Sequence, residues 1–331
     1  MERATIGDTG ISASRVGLGT WAIGGWMWGG TDREESIRTI HAALDAGIDL
    51  IDTAPIYGQG TSEEIVGEAV EQAGARDRVV LATKLGIEWS DEGAWRNSTP
   101  ERIRREIEDS LRRLRTDHVD IYQVHWPDPL VPFEETARTL EALRHEGKIR
   151  AIGVSNYSPE QMDAFREAAP LHTAQPPYNL FEREVEHDVL PYCREHGIAT
   201  LTYGALCRGL LSGKVTAERE FEKGDLRRNA DPKFQQPRLA QYLAAVDALD
   251  ELAQERWNRR VIHLALRWLL DRDGVTIALW GARHPRQIPP VHEVWDWHLD
   301  DEAMEAIDAI LEQHVTDPVG PEFMAPPSRE G

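Results

Sequence analysis

Four polar side chains stand at or just after the ends of apolar segments of this chain. Asp52 lies near the end of the segment IDLIDTA, and Tyr57 follows in the next loop. Lys84 ends the segment VVLATK, and His125 ends VDIYQVH. In a parallel barrel the carboxyl ends of the strands converge on one mouth, where such folds carry out their chemistry. We therefore predict that these four residues form one site.

The chemistry that this set offers is proton transfer to an oxygen atom. A tyrosine has an ordinary pKa of ~10, and a nearby lysine ammonium would favour its ionised form and lower that pKa. Lys84 must be partly buried to exert this effect, and Asp52 is the carboxylate that would keep it charged. His125 can donate a hydrogen bond that orients a substrate oxygen. The set lacks an activated nucleophile, and the alternative is a purely structural buried Asp-Lys pair.

A metal site is the competing arrangement of such residues. Neither HxH nor HExxH occurs in the sequence, and the twelve histidines are scattered. The pattern therefore disfavours a metal-dependent hydrolase.

The segments that must position the four residues alternate along the whole chain. Apolar runs of four to eight residues are followed by amphipathic helical patterns, which predicts a parallel sheet with helices outside it. Eight such units favour a closed (β/α)8 TIM barrel of the α/β class over an open sheet. The first strand is not followed by GxGxxG, which weakens the dinucleotide-binding alternative with an open sheet. The predicted strands are VGLGT, IDLIDTA, VVLATK, VDIYQVH, AIGVSN, HTAQPPY, IATLTYGAL and VTIALWGA.

Three segments lie outside this repeat. Residues 1–15 predict a β-hairpin that covers the barrel bottom, and 212–237 predicts a long loop on the site face. Residues 316–331 form a proline-rich tail after extra C-terminal helices, placed to fold over the barrel mouth. Without a change of composition that would mark a linker, we predict a single domain over residues 1–331. Thr99 is expected to cap the helix that follows it, with Pro100 at the first helical position.

Composition limits the partners of the protein. The 331 residues include 37 basic and 57 acidic ones, a net charge of −20, which disfavours nucleic acid and anionic membranes. An anionic ligand would need a locally basic pocket. Two cysteines are too few for a disulfide framework, and no apolar run is long enough for a signal peptide or a membrane span. We therefore expect a cytoplasmic protein.

Longer motifs make the sequence resemble the aldo-keto reductases. These motifs are DTAPIYG, ATK, QVHWPDP, GKIRAIGVSNYS, QPPYNLFERE, YGALCRGLLSGK, DPKFQ and ALWGAR. The long loop, the ALWGAR segment and the EFMAPP tail resemble a bacterial branch with general-stress reductases and NADPH-dependent glyceraldehyde/glycerol reductases. The resemblance implies a carbonyl reductase in which Tyr57 donates the proton, supported by Lys84, Asp52 and His125.

The same resemblance implies NADP(H) as the cofactor, bound in an extended form. The nicotinamide end would be held by Thr20, Trp21, Asp52, Ser155, Asn156, Gln175 and Tyr203. The phosphates would meet Gly204, Ala205, Leu206, Cys207, Arg208 and Gly209, with charge from Lys214 and Arg227. The adenosine end would lie at Gly281, Ala282, Arg283 and Gln287, and Arg283 would face the 2′-phosphate. The segment IPPVHEV after Gln287 departs from the Glu-Asn pair of many family members.

The substrate pocket is expected to be aromatic. Trp26, Trp89 and Trp126 occur in predicted site-face loops, and the branch implies small hydroxy-aldehydes such as glyceraldehyde as substrates.

Two other functions stay open. One is an NADP(H)-binding regulatory or sensor subunit with little turnover, and the other is a sugar isomerase or dehydratase on the same barrel.

Overall fold

The computed structural model describes residues 1–329 of the chain, so the last two residues of the predicted tail lie outside the described residues. The strands among these residues are β1 (Arg3–Ile6), β2 (Ile11–Ser14), β3 (Val16–Gly19), β4 (Leu50–Asp52), β5 (Val80–Leu85), β6 (Ile87–Ser90), β7 (Gly93–Arg96), β8 (Val119–Val124), β9 (Ile149–Ser155), β10 (Thr173–Gln175), β11 (Ala199–Thr202) and β12 (Ile277–Gly281).

Helices fill the connections between these strands. The α-helices are α1 (Trp21–Gly24), α2 (Arg33–Asp45), α3 (Thr61–Gln72), α4 (Pro100–Leu114), α5 (Phe133–His145), α6 (Pro159–Arg166), α7 (Val189–Glu195), α8 (Leu226–Asn229), α9 (Arg238–Trp257), α10 (Val261–Asp271) and α11 (Asp301–His314). Short 3-10 helices occupy Arg76–Arg78, Glu184–Glu186, Cys207–Ser212, Pro232–Phe234, Pro285–Gln287, Pro289–Val294 and Glu322–Met324. Within residues 1–329 no helix combines the length and apolar character that crossing a membrane requires.

Eight parallel strands close into a barrel. Their order is β3, β4, β5, β8, β9, β10, β11 and β12, and β12 pairs with β3 to complete the ring. This confirms the predicted (β/α)8 barrel. The sequence accounts for this architecture, because each apolar strand is followed by a helix whose apolar face packs on the outside of the sheet. In α4 that face carries Ile103, Ile107, Leu111 and Leu114, all buried.

The barrel interior has its own core beneath the mouth. Side chains two residues apart on a strand point to the same side, so Leu50, Val80 and Ala82 face inward, as does Ile121. They form one buried cluster with Ile6 of the N-terminal hairpin. The predicted hairpin of β1 and β2 therefore covers the barrel bottom and leaves the other end for the site.

Two local features differ from the sequence-based expectations. A second hairpin, formed by β6 and β7, pairs Ile87 with Arg96 beyond the end of β5, where only a loop was expected. Thr99 precedes α4 but makes no capping bond, because its hydroxyl donates to Asn97 Oδ1 at 2.9 Å. Pro100 does occupy the first helical position.

Candidate active site

The strand register brings four polar side chains into the layer above the barrel core. Asp52 and Lys84 lie two residues after the inward-facing Leu50 and Ala82, and Gln123 lies two residues after Ile121. Alternation along a strand therefore turns all three into the barrel mouth. Gln175 at the end of β10 joins them through the hydrogen bonds described below.

Lys84 and Asp52 form a fully buried ion pair. Lys84 Nζ lies 2.5 Å from Asp52 Oδ2 and also donates to the Thr53 carbonyl oxygen at 3.0 Å. Both partners of Nζ are acceptors, so the contacts require Lys84 to act as a donor. Burial lowers the pKa of Lys84, and the Asp52 carboxylate opposes that shift. The pair predicted from the sequence is present.

The second oxygen of Asp52 accepts hydrogen bonds from two buried amides. Gln175 Nε2 lies 2.8 Å from Asp52 Oδ1, and Gln123 Nε2 lies 3.2 Å from the same atom. Gln175 was predicted at the site, whereas Gln123 was not. Its position on β8, two residues before His125, was the signal that could have identified Gln123.

Tyr57 reaches this layer from the turn after β4. Its backbone packs so closely on Gly24 that a Cβ there would lie 2.6 Å from the Tyr57 carbonyl carbon, which accounts for glycine at that position. The phenol ring centroid is 5.1 Å from Lys84 Nζ and 5.7 Å from the His125 ring, which meets it edge to face. The ring of Trp21 stacks on the other side at 6.2 Å.

The electrostatics correct one expectation. Burial, together with the Asp52 carboxylate, raises the pKa of Tyr57 well above its usual value rather than lowering it. Burial and the Lys84 ammonium hold the pKa of His125 well below its usual range. Near neutral pH the phenol therefore keeps its proton and the imidazole is uncharged, with one N–H to donate.

A cavity of about 550 Å³ opens beside these groups. It extends from Asp52 and Tyr57 to Arg283 and Arg286, beneath part of the loop predicted at 212–237. The predicted cofactor residues in its wall are Thr20, Trp21, Asp52, Gln175, Tyr203, Gly204, Ala205, Leu206, Arg208, Gly209, Lys214, Arg227, Gly281, Ala282, Arg283 and Gln287.

Three predicted cofactor residues lie behind that wall. Ser155 Oγ donates to the Gln175 carbonyl oxygen at 2.8 Å. Asn156 Nδ2 donates to the His125 carbonyl oxygen at 2.9 Å, and Tyr203 Oη donates to Asn156 Oδ1 at 2.9 Å. Cys207 is fully buried, and burial raises the pKa of its thiol to about 12. In this structure Ser155 and Asn156 brace the site residues, and Cys207 is packed as a neutral thiol.

The three predicted tryptophans occupy two different surroundings. Trp89 and Trp126 pack with Tyr57 against a small apolar cluster of Ala54, Ile56 and Ile87, outside the wall of the large cavity. Trp26 is 42% exposed and does not line the large cavity either.

Trp28 lies in the wall instead, on the loop that carries Trp26. Its ring meets that of Trp21 edge to face at 5.4 Å. The predicted place of Trp26 in the substrate pocket stays a prediction.

The Arg208 guanidinium is held by two buried carboxylates. It bonds to Glu182, and its Nε lies 2.5 Å from Asp231 Oδ2. Lys233 Nζ, also buried, lies 2.8 Å from Glu182 Oε1. Burial alone would raise the pKa of Glu182, but Arg208 and Lys233 outweigh it and hold that pKa at about 2.

This buried charge cluster of Glu182, Arg208, Asp231 and Lys233 was not predicted from the sequence, although the motifs QPPYNLFERE, YGALCRGLLSGK and DPKFQ contain all four of its members. Lys233 Nζ also donates to the Gly320 carbonyl oxygen at 3.2 Å. The cluster therefore joins the wall of the cavity to the long loop and to the C-terminal tail.

Further cationic side chains line the cavity. Arg227 pairs with Asp225 at 2.6 Å, and its guanidinium lies 4.8 Å from the ring centre of Trp28. Arg283 Nη1 donates to the Trp28 carbonyl oxygen at 2.7 Å. The Arg227 contact joins the long loop to the Trp28 loop, and the Arg283 contact joins the segment after β12 to the Trp28 loop. Lys214 and Arg286 add positive charge to the cavity wall.

The geometry agrees with comparison to known proteins. Residues 15–312 match the model of the aldo/keto reductase family. The chain belongs to this family. It is an oxidoreductase of the aldo/keto reductase type.

Two relatives show which proteins the chain is similar to in sequence. The chain is 61% identical to aldo-keto reductase YhdN of Bacillus subtilis (strain 168), over 100% of this chain and 99% of that protein. It is 38% identical to an NADH-specific methylglyoxal reductase of Escherichia coli (strain K12), over 87% of this chain and 91% of that protein.

Two solved structures share the fold. The glycerol dehydrogenase AKR11B4 from Gluconobacter oxydans superposes with a TM-score of 0.87 at 55% identity, covering 98% of this chain and 99% of that one. An aldo/keto reductase from Klebsiella pneumoniae in complex with NADP and acetate gives 0.72 at 28% identity, covering 100% of this chain and 98% of that one.

Proposed function

We propose that the protein is an NADP(H)-dependent reductase of aldehydes or ketones, with Tyr57 as the proton donor. It would catalyse the reverse alcohol oxidation as well. The observation that carries the proposal is the Tyr57 phenol in the cavity wall, with its ring 5.1 Å from the buried Lys84 Nζ and edge to face with the His125 imidazole.

The cavity suits an extended dinucleotide with several phosphates. Gly204 and Gly209 have φ angles of 79° and 100° and carry no side chain, so a phosphate could approach their backbone closely. Lys214, Arg283 and Arg286 supply positive charge in a protein whose net charge is −20. The buried indole N–H groups of the wall residues Trp21 and Trp28 have no acceptor within residues 1–329.

Each group of the predicted catalytic set has a separate task in this proposal. When bound, a reduced nicotinamide would supply a hydride, which is one hydrogen nucleus with two electrons, to the carbonyl carbon. Tyr57 then transfers its proton to the substrate oxygen as that oxygen gains negative charge. His125 donates its N–H to the same oxygen and orients it. Lys84, held by Asp52, stabilises the charge left on the Tyr57 oxygen.

The raised pKa of Tyr57 is compatible with this task. The carbonyl oxygen becomes an alkoxide, which is a far stronger base than a phenolate, so a neutral phenol can donate to it. In the reverse direction the ionised form of Tyr57 would have to remove the proton of an alcohol. The positive charge of Lys84 stabilises this ionised form of Tyr57 in both directions.

For the substrate we propose small hydroxy-aldehydes such as glyceraldehyde. One of the similar solved structures is a glycerol dehydrogenase, a name that fits the reverse reaction on a small polyol. Trp89 and Trp126 pack beside the Tyr57 ring, which supports their predicted place at the substrate end.

We also propose that the whole chain works as one domain. The long loop and the tail contribute to the same end of the barrel, where Arg329 bonds to Asp128 Oδ2 at 2.7 Å and Lys233 bonds to the Gly320 carbonyl oxygen. A cytoplasmic location is supported by Cys193 and Cys207, which are both free thiols and both buried.

The test of the proposed function measures binding and turnover separately. Cofactor binding is followed by quenching of tryptophan fluorescence, and turnover by the absorbance of the reduced nicotinamide with glyceraldehyde, methylglyoxal and glycerol. We expect steady turnover with at least one short hydroxy-aldehyde. Tight NADPH binding with no turnover on any of these compounds would favour the sensor subunit, and failure to bind either NADPH or NADH would refute the proposal.

A further inference from the structure

The buried amide of Gln123 has no assigned role in the site. The residue is fully buried on β8, and its side chain crosses the barrel beside Gly153, where a Cβ would lie 2.7 Å from Gln123 Cγ. The backbone of Gly153 thus leaves room for this amide in the middle of the mouth.

The hydrogen bonds fix which end of each amide faces Asp52. An ionised carboxylate only accepts hydrogen bonds, so both Gln123 and Gln175 must turn their nitrogen atoms towards Asp52 Oδ1. The Gln123 oxygen then accepts from Gln175 Nε2 at 3.3 Å. Both N–H hydrogens of Gln175 are therefore used, one by Asp52 and one by Gln123.

This arrangement leaves only the oxygen of Gln175 for a ligand. Gln175 lines the cavity, and no donor within the described part of the chain reaches its Oε1. We propose that Gln123 is a positioning residue that holds the Gln175 amide with its oxygen towards the cavity, so that the site recognises the carboxamide NH₂ of the nicotinamide. The inference rests on the proposed function, because it assumes that a nicotinamide cofactor binds there.

The role of Gln123 follows from the number of bonds that restrain Gln175. When its nitrogen donates to both Asp52 and Gln123, the plane of the Gln175 amide is fixed. Without Gln123 a single bond to Asp52 remains, and the plane can turn about it and present an N–H to the cavity. The site would then accept a carbonyl group as readily as an amide.

The test compares two oxidised cofactors in a binding measurement without turnover. NADP⁺ carries a carboxamide, whereas its 3-acetylpyridine analogue keeps the carbonyl and lacks the NH₂ group. For the unmodified protein we expect NADP⁺ to bind about five- to tenfold more tightly, the value of one neutral hydrogen bond. In Gln123→Met, which keeps an unbranched side chain, this ratio should fall below about twofold.

Two further variants separate this role from general damage to the fold. Gln123→Glu keeps an acceptor oxygen for Gln175 in either protonation state, so it should keep the ratio. Gln254→Leu, at an exposed position of α9, should leave both dissociation constants unchanged. If Gln123→Met does not fold, the test rests on Gln123→Glu. Equal affinity of that variant for the two cofactors would overturn the inference.

The outcomes distinguish the inference from the proposed function. If the unmodified protein does not bind NADP⁺, the proposed function fails, and the inference fails with it. If the unmodified protein discriminates and folded Gln123→Met discriminates equally, the positioning role of Gln123 is refuted while the proposed function stands. Equal affinity of the unmodified protein for both cofactors would also overturn the inference.

Discussion

Replacing Lys84 by methionine removes the ammonium beside Tyr57 and keeps an unbranched side chain. Taking the 5.1 Å from Nζ to the Tyr57 ring centre as the charge separation, an effective dielectric constant of ~20 gives about 3 kcal/mol between the ammonium and a phenolate. Each ~1.4 kcal/mol changes a rate tenfold, so loss of this interaction should lower kcat for reduction by about 10²-fold.

The same substitution should also lower the free energy of unfolding. Lys84 is 1% exposed, and its removal leaves the Asp52 carboxylate buried without its cation. Breaking such a pair from one side costs about 3–5 kcal/mol. Urea unfolding must therefore accompany the kinetics, and rates are compared only under conditions in which the variant is folded.

Lys148→Met is the matched control. Its ammonium is partly exposed and pairs with Glu108 at 2.6 Å on the outside of the barrel. Exposed pairs contribute at most about 1 kcal/mol, so this variant should keep full activity and nearly full stability. A folded Lys84→Met protein that reduces aldehydes at the unmodified rate would refute the role of Lys84 in stabilising the phenolate.

Two further perturbations address the cofactor and a buried carboxyl group. Arg283→Ala should raise the Kd for NADPH about 10–100-fold, since a hydrogen bond to a charged group contributes roughly 1.5–3 kcal/mol. The Kd for NADH, which lacks the 2′-phosphate, should hardly change. Fluorescence titration checks this against exposed Arg228→Ala, and equal weakening for both cofactors would contradict the assignment to the 2′-phosphate. Burial raises the pKa of Glu106 from 4.5 to about 7. Between pH 4.5 and about 7 the folded protein therefore binds more protons than the unfolded chain, and its free energy of unfolding falls as the pH rises through this range. Glu106→Gln removes the titrating group and should remove that decline, whereas Glu108→Gln should keep it. Parallel pH profiles of stability for Glu106→Gln and the unmodified protein would contradict this.

The barrel could be predicted from the sequence because its signals are local. The alternation of apolar strands and amphipathic helices runs through the chain, and the ends of β4, β5 and β8 identified Asp52, Lys84 and His125 directly. The β6–β7 hairpin was missed because its segment, IEWSDEGAWR, is only weakly apolar.

Features that depend on contacts distant in sequence could not be read in the same way. The Arg208 guanidinium is held by Glu182 and Asp231, each more than twenty residues away in the chain, and no local pattern indicates that pairing. The direction of the Tyr57 pKa shift depends on burial and on the Asp52 carboxylate, which both raise that pKa. Residue types alone suggested the effect of Lys84, and the structure shows that burial dominates.

The transferable proton of Tyr57 is the centre of this account, and Tyr57→Phe removes it while keeping the ring. Single-turnover reduction of glyceraldehyde by bound NADPH, with NADPH affinity measured in the same samples, tests it most directly. We predict that Tyr57→Phe binds NADPH as the unmodified protein does and reduces the aldehyde at least ~10²-fold more slowly, the scale of general acid catalysis. A folded Tyr57→Phe protein with an unchanged single-turnover rate would contradict the assignment of Tyr57 as the proton donor.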